Sequence, residues 1–259
     1  MLLHILLYSL LGWGAGIVVN WLSDALSSLR LDDLLSDVPC KTCILPKNAE
    51  AYLWGVQNCP QCGKWRGRFL IVNIIFLGIS LWLGIVPPEG LPYLLGMVLM
   101  LFFGVVTVID VEHRLILHPV SLAGALLGLG FGIWRRGLVV TLLGGAAGFG
   151  LMLGLYFFGS LFANVVTRLR GETLDEVALG FGDVNLAGIL GLLLGWPGVI
   201  GGLVLAVLLG GIFSLLYLVV MLIVERRYRA FAAIPYGPFL VASAVVLLFL
   251  KDALWTIFP

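Results

Sequence analysis

Eight long stretches of apolar sequence constrain this chain more than any other feature. They run from Met1 to Leu22, Phe69 to Val86, Leu91 to Ile109, Leu115 to Trp134, Leu138 to Phe162, Phe181 to Trp196, Gly198 to Val224 and Pro235 to Trp255. A bilayer core of roughly 30 Å takes about 20 helical residues to cross, and most of these stretches approach or exceed that length. The chain is expected to be an all-α polytopic membrane protein with about eight transmembrane helices, the sixth the shortest. Composition agrees, with 61% apolar and 11% charged residues, where a soluble domain carries roughly 25% charged. A water-soluble globule and a disordered chain are both excluded. The first stretch has no basic segment ahead of it and no small-residue cleavage site before a soluble domain, so it reads as a retained span and not a signal peptide.

The organisation that follows is a first helix over 1–22, a polar loop over 23–68 and a seven-helix core over 69–259. The loop holds Arg30, Lys41, Lys47, Lys64, Arg66 and Arg68. If it faces the cytoplasm, eight spans also put Arg114, Arg168, Arg170, Arg226, Arg227 and Arg229 there, which makes 12 of the 15 basic residues. Arg135, Arg136 and Lys251 are left outside. The positive-inside rule then places both termini outside, and an odd number of spans would break the pattern. The net charge of +1 offers no basic excess for a nucleic-acid partner. The lipid bilayer is the one partner that composition alone demands, and nothing sets an oligomeric state.

Glycine accounts for 34 of the 259 residues. Many are four apart within a stretch: Gly12/Gly16, Gly124/Gly128/Gly132, Gly144/Gly148, Gly150/Gly154 and Gly191/Gly195. Small residues at that spacing let helix backbones approach closely in lipid, where no hydrophobic drive brings helices together.

Charged side chains in a bilayer are expensive, so intramembrane acids are candidates for function. Twelve of the 14 acidic residues lie in loops or at span ends, which leaves Asp110 and Asp183. Asp110 closes the third span and Asp183 opens the sixth, so both fall at the cytoplasmic ends of their helices. Two carboxylates that share a site cannot both ionise easily, and the pair holds one proton. The ionised member can take a proton from water while the protonated member polarises a carbonyl, as an aspartic protease requires. The plainer alternative has Asp183 capping the sixth helix and Asp110 pairing with Arg114. Asn20, polar inside an apolar run, must find a hydrogen-bond partner in protein or at the interface.

All four cysteines form two C-x2-C pairs, Cys40 with Cys43 and Cys59 with Cys62. That spacing suits one zinc ion held by four thiolates. In a reducing cytoplasm a metal is favoured over two disulfides, with free thiols the remaining alternative. Four thiolates leave no open catalytic position, so such a zinc would be structural and would fold a loop too small to build a core. Asp24, Asp32, Asp33 and Asp37 form an acidic strip after the first span. It is either a solvated linker or a guide for a basic substrate.

Taken together, these motifs resemble a known family. Gly180-Phe181-Gly182-Asp183 resembles the GxGD signature of intramembrane aspartyl proteases. Ile109-Asp110 with Glu112-His113-Arg114 resembles the first aspartate motif of type IV prepilin peptidases. Pro235-Tyr236-Gly237-Pro238 is similar to the late proline-glycine motif of that family, and Gly16 with Asn20 to its first-span motif. The order matches along the whole chain, the cysteine loop included. The resemblance implies Asp110 and Asp183 as catalytic residues, with Gly180, Gly182, Asn20, Pro235, Gly237 and Pro238 in support. It implies cleavage of the basic leader of a prepilin or pseudopilin at the cytoplasmic face of a bacterial inner membrane. S-adenosylmethionine-dependent methylation of the new amino terminus would follow. Three positions depart from the family pattern: Leu117-His118-Pro119 replaces a Pro-Asp, Ala25 replaces an arginine and Asn73 replaces a glutamate. Functions outside this class are a transporter, which would favour acids near the midplane and inverted repeats, and a non-catalytic scaffold of a secretion assembly. A scaffold would tolerate loss of either aspartate.

Overall fold

The computed structural model describes residues 2–31, 67–88, 90–170, 180–224 and 235–250. All regular structure among them is helical, in eight helices: α1 (Leu2–Leu31), α2 (Arg68–Ile85), α3 (Tyr93–His113), α4 (His118–Arg136), α5 (Leu138–Arg170), α6 (Phe181–Leu194), α7 (Gly198–Val224) and α8 (Gly237–Phe249). Each apolar stretch of the sequence became one helix, in order. Five of them, α1, α2, α3, α5 and α7, are long and apolar enough to cross a membrane. The chain is therefore a polytopic all-α membrane protein. Of the other three, α4 has 19 residues but ends in Arg135 and Arg136, while α6 and α8 have 14 and 13 residues. The four cysteines, and with them the proposed zinc loop, lie outside the described residues, as does Trp255.

The chain divides into two compact units, 1–109 and 110–259, with the boundary inside α3. In the first unit α1 packs along α2. The contact is close because glycine stands at the crossing: a Cβ on Gly16 would collide with the side chain of Asn73, and one on Gly12 would lie 2.7 Å from Ser80 Cβ. α3 joins through Gly104, which faces Phe76 and Val19, and through Tyr93, whose hydroxyl lies 2.7 Å from Ser80 Oγ.

The first helix does not stop where the apolar run stops. It continues past Leu22 to Leu31, because Asp24, the charged residue buried in this extension, has a partner. Arg68 Nη2 meets Asp24 Oδ1 at 2.7 Å, and Arg68 Nε donates to Asn20 Oδ1 at 3.1 Å. The Asn20 amide donates to the Gly16 carbonyl at 2.9 Å, which meets the demand its buried position makes. Asp24 is only 4% exposed, so it anchors α1 to α2 and is not a member of an exposed acidic strip. Asp32, Asp33 and Asp37 lie outside the described residues.

The second unit is built around α6, which contacts α4, α5, α7 and α8. A helix that is apolar on every side belongs in an interior, and ten of its 14 residues are buried. At about 1.5 Å per residue it reaches only about 21 Å, short of a bilayer core. Neighbouring helices give it its cover. It stops at Gly195, which adopts φ +67°, a left-handed conformation that glycine takes without a Cβ penalty. Arg136 of α4 donates to the carbonyl of Leu193 at 2.7 Å, satisfying one of the carbonyls that a helix end leaves open.

The glycine spacing in the second unit explains the packing onto α6. A Cβ on Gly144 or Gly148 of α5 would strike the carbonyl of Gly191 or Ala187. One on Gly128 of α4 would lie 3.1 Å from Leu192 Cβ. Gly150 and Gly154 differ, since a Cβ there would meet open space, so that pair holds no helix crossing. Gly191 shows the tightest contact, its own Cβ position overlapping the carbonyl of Gly144. Gly191→Ala is expected to destabilise the protein by about 1–3 kcal/mol, the usual cost of overpacking a well-filled contact, whereas Gly154→Ala should be neutral or stabilising. Denaturation of the two variants in detergent micelles checks the contrast.

Candidate active site

Three helix ends meet in the second unit. Asp110 lies in the last turn of α3 and is 4% exposed. The helix ends at His113, and Arg114 then turns the chain with φ 53°, its N–H bonding back to the Asp110 carbonyl at 2.8 Å. Ile116, just beyond, packs on Gly182, where a Cβ would lie 2.9 Å from Ile116 Cβ. This contact sets the end of α3 against the start of α6 and gives a physical reason for the second glycine of Gly180-Phe181-Gly182-Asp183.

Asp183 is the third residue of α6. Its Oδ2 accepts the N–H of Gly180, the N-cap residue, at 3.2 Å, while its own N–H bonds the Gly180 carbonyl at 3.0 Å. A carboxylate in the first turn also faces the positive end of the helix dipole. Asp183 is thus not the N-cap itself but supports the helix start from the third position, and it uses only one carboxylate oxygen to do so. Asp110 shows the same pattern. Its Oδ2 accepts the N–H of Gly237, the first residue of α8, at 3.0 Å. Arg114 lies within electrostatic reach of Asp110, yet no ion pair joins them among the described residues. Each aspartate therefore has one oxygen held by a glycine N–H. The two carboxylates are near enough for the charge of Asp110 to act on Asp183.

The proline-glycine segment supplies more than its sequence suggested. Pro238 occupies the first turn of α8, where its missing N–H costs nothing, and Pro235 precedes the helix. Gly237 contributes a backbone donor, and its bare Cα makes the approach possible: a Cβ would lie 2.6 Å from Asp110 Oδ2. Tyr236, not singled out by sequence, lies within electrostatic reach of Asp183 with its ring 6.3 Å from that of Phe239. No residue-type signal marks it; only its place inside the motif could have.

The structure thus brings Asp110, Asp183, Gly180, Gly182, Gly237 and Pro238 to one cluster of helix ends within the second unit. Asn20 belongs to the first unit, where Arg68 and Gly16 hold its amide. Glu112 and His113, which follow Asp110, face each other at 3.9 Å. Chemically, two buried carboxylates, each with one oxygen fixed and one remaining, can hold a shared proton and a water molecule.

Residues 97–215, which include both aspartates and the two glycines before Asp183, match the model of the type IV leader peptidase family. Two curated relatives, both described as prepilin leader peptidase/N-methyltransferase, come from Aeromonas salmonicida strain A449 and Aeromonas salmonicida. Each is 27% identical to this chain over 212 residues, an alignment covering 79% of this chain and 66% of the relative. The chain thus spans just under two thirds of the length of these relatives. No solved structure matches it. Over residues 97–215, which hold both aspartates, the chain is thus similar to the type IV leader peptidase family.

Proposed function

We propose that this protein is a membrane-embedded aspartic endopeptidase that removes the basic leader of a prepilin or pseudopilin at the cytoplasmic face of the inner membrane. The observation that carries the reading is the pair Asp110 and Asp183, buried at adjoining helix ends with a glycine N–H on one oxygen of each. The ionised member takes a proton from water, whose oxygen attacks the scissile carbonyl carbon. The protonated member donates to the carbonyl oxygen. Collapse of the tetrahedral intermediate breaks the C–N bond and the leaving amine takes a proton from the dyad. Gly237 and Gly180 keep the carboxylates in place throughout, so little reorganisation is needed as charge moves.

The test is direct. The purified chain in detergent or lipid should cut a synthetic peptide that carries a short basic leader, a glycine and an apolar helix. Mass spectrometry should place the cut after that glycine. An intact peptide would remove the assignment.

Two further elements belong to the proposal. Cys40, Cys43, Cys59 and Cys62 have the spacing of a structural four-thiolate zinc site, and metal analysis of the purified protein is expected to give about one equivalent of zinc. No step of the cleavage runs through that ion. Methylation of the freed amino terminus from S-adenosylmethionine rests on the name of the relatives, which includes N-methyltransferase. Its sign would be a product heavier by one methyl group when S-adenosylmethionine is supplied.

A further inference from the structure

Tyr236 stands beside the aspartate pair, at the N-cap of α8. The next residue, Gly237, donates its N–H to Asp110 Oδ2 at 3.0 Å, and covalent geometry keeps the Tyr236 Cα within about 6 Å of that oxygen. Tyr236 also lies within electrostatic reach of Asp183. One residue therefore borders both carboxylates.

Packing holds its ring and leaves its hydroxyl unused. Tyr236 Cε2, next to the carbon that bears the hydroxyl, lies 3.5 Å from where a Cβ on Gly210 of α7 would stand. Phe239 Cδ2 lies 3.5 Å from the same point, and the Phe239 ring in turn packs on that of Phe213 of α7 at 5.4 Å. A phenylalanine ring would satisfy all of these contacts. The Tyr236 hydroxyl has no hydrogen-bond partner among the described residues, although the residue is half-buried. A phenol in such surroundings usually finds a partner, and going without one costs free energy. Unlike Ser121 Oγ and the Asn73 amide, which are enclosed without partners, this oxygen is not sealed off, so a substrate atom can reach it.

We infer that the Tyr236 hydroxyl donates a hydrogen bond to the oxygen of the scissile carbonyl as that oxygen gathers negative charge beside Asp110 and Asp183. The inference rests on the peptidase reading and adds a catalytic residue to it. The protonated carboxyl is one donor to the oxygen of the tetrahedral intermediate, and the phenol is a second. The proton stays on the phenol throughout, so the acid–base steps of the dyad are unchanged. A phenol ordinarily ionises at about pH 10, so it remains a donor at neutral pH. A donor fixed in advance stabilises developing charge without reorganisation, and the contacts with Gly210 and Phe239 supply that fixity.

Two variants of the full chain test it on a synthetic peptide with a basic leader, a glycine and an apolar segment of about 20 residues. Tyr236→Phe keeps the ring and its contacts and removes only the hydroxyl. Its kcat should fall about a hundredfold, the usual loss for one oxyanion donor, with KM and the denaturation midpoint in micelles little changed. The second variant carries 3,5-difluorotyrosine in place of Tyr236, whose phenol is more acidic. A phenolate cannot donate, so the ratio of this variant's kcat to that of wild type should fall as pH rises through the lowered phenol pKa. A ring that serves packing alone would leave that ratio constant. Cleavage by wild type with an unchanged kcat in Tyr236→Phe would overturn the role of the hydroxyl and leave the peptidase standing. A loss in Tyr236→Phe beside a constant ratio in the fluorinated variant would overturn it as well. Failure of wild type to cleave would sink the peptidase reading, and this donor with it.

Discussion

Replacing Asp110 or Asp183 by asparagine is expected to reduce leader cleavage at least about a thousandfold while the protein remains folded, since acid–base groups that act as a unit contribute on this scale. Asparagine is nearly isosteric and keeps a carbonyl oxygen. In Asp110→Asn that oxygen could still accept the N–H of Gly237, and in Asp183→Asn that of Gly180. Cap and packing are therefore preserved, and only the proton chemistry is removed. If Asp183 served the helix terminus alone, Asp183→Asn would cleave normally. The double variant should be no worse than either single one, because groups working on one proton do not lose activity additively. Rates for the three variants, beside their denaturation midpoints in micelles, separate a chemical role from a structural one. Retained cleavage in either single variant would refute the dyad.

Gly237→Ala should be nearly as damaging without touching a titratable group. The added Cβ would lie 2.6 Å from Asp110 Oδ2 and 3.0 Å from its Cγ, so the carboxylate must move aside. A displacement near 1 Å in catalytic geometry costs about a hundredfold in rate. Alanine is also the better helix former, by about 1 kcal/mol in a helix interior, so the first turn of α8 has no intrinsic reason to unravel. The expected pattern is a large loss of kcat with secondary structure retained. Full activity in Gly237→Ala would mean that the Gly237 N–H does not hold the working carboxylate.

Much of this architecture was legible in the chain because a bilayer simplifies the problem. Each apolar stretch folded as one helix, and the two intramembrane acids fell together at helix ends. The glycine spacing also located real crossings at Gly144, Gly148 and Gly191. What escaped was everything that depends on three-dimensional partnership. The extension of α1 to Leu31 runs through Ser23, Asp24 and Ser27, residues that hydropathy assigns to a loop, and the contact with Arg68, 44 positions away, helps to make Asp24 tolerable inside. Hydropathy counts side chains singly and cannot see a pair. Gly150 and Gly154 misled for the same reason, since spacing shows that a backbone can be approached but not that a neighbour is there. At the site, the motif marked Gly237 without disclosing that its contribution is a backbone N–H, which every residue except proline possesses. Its specific merit is the missing Cβ.

The contact between Arg68 and Asp24 also bears on the segment that holds the cysteines. The two residues stand 44 positions apart and together close a ring of chain. Bringing the ends of a flexible chain together costs entropy that grows roughly as 1.5 RT ln n. Here that cost is met by the packing of α1 on α2, with or without anything bound in between. The four thiols are therefore tethered at both ends to fixed points, which raises their effective concentration toward one another. If the segment binds the proposed zinc, a metal chelator should release it without separating α1 from α2, and the segment should recapture the metal far more readily than the same residues excised as a free peptide.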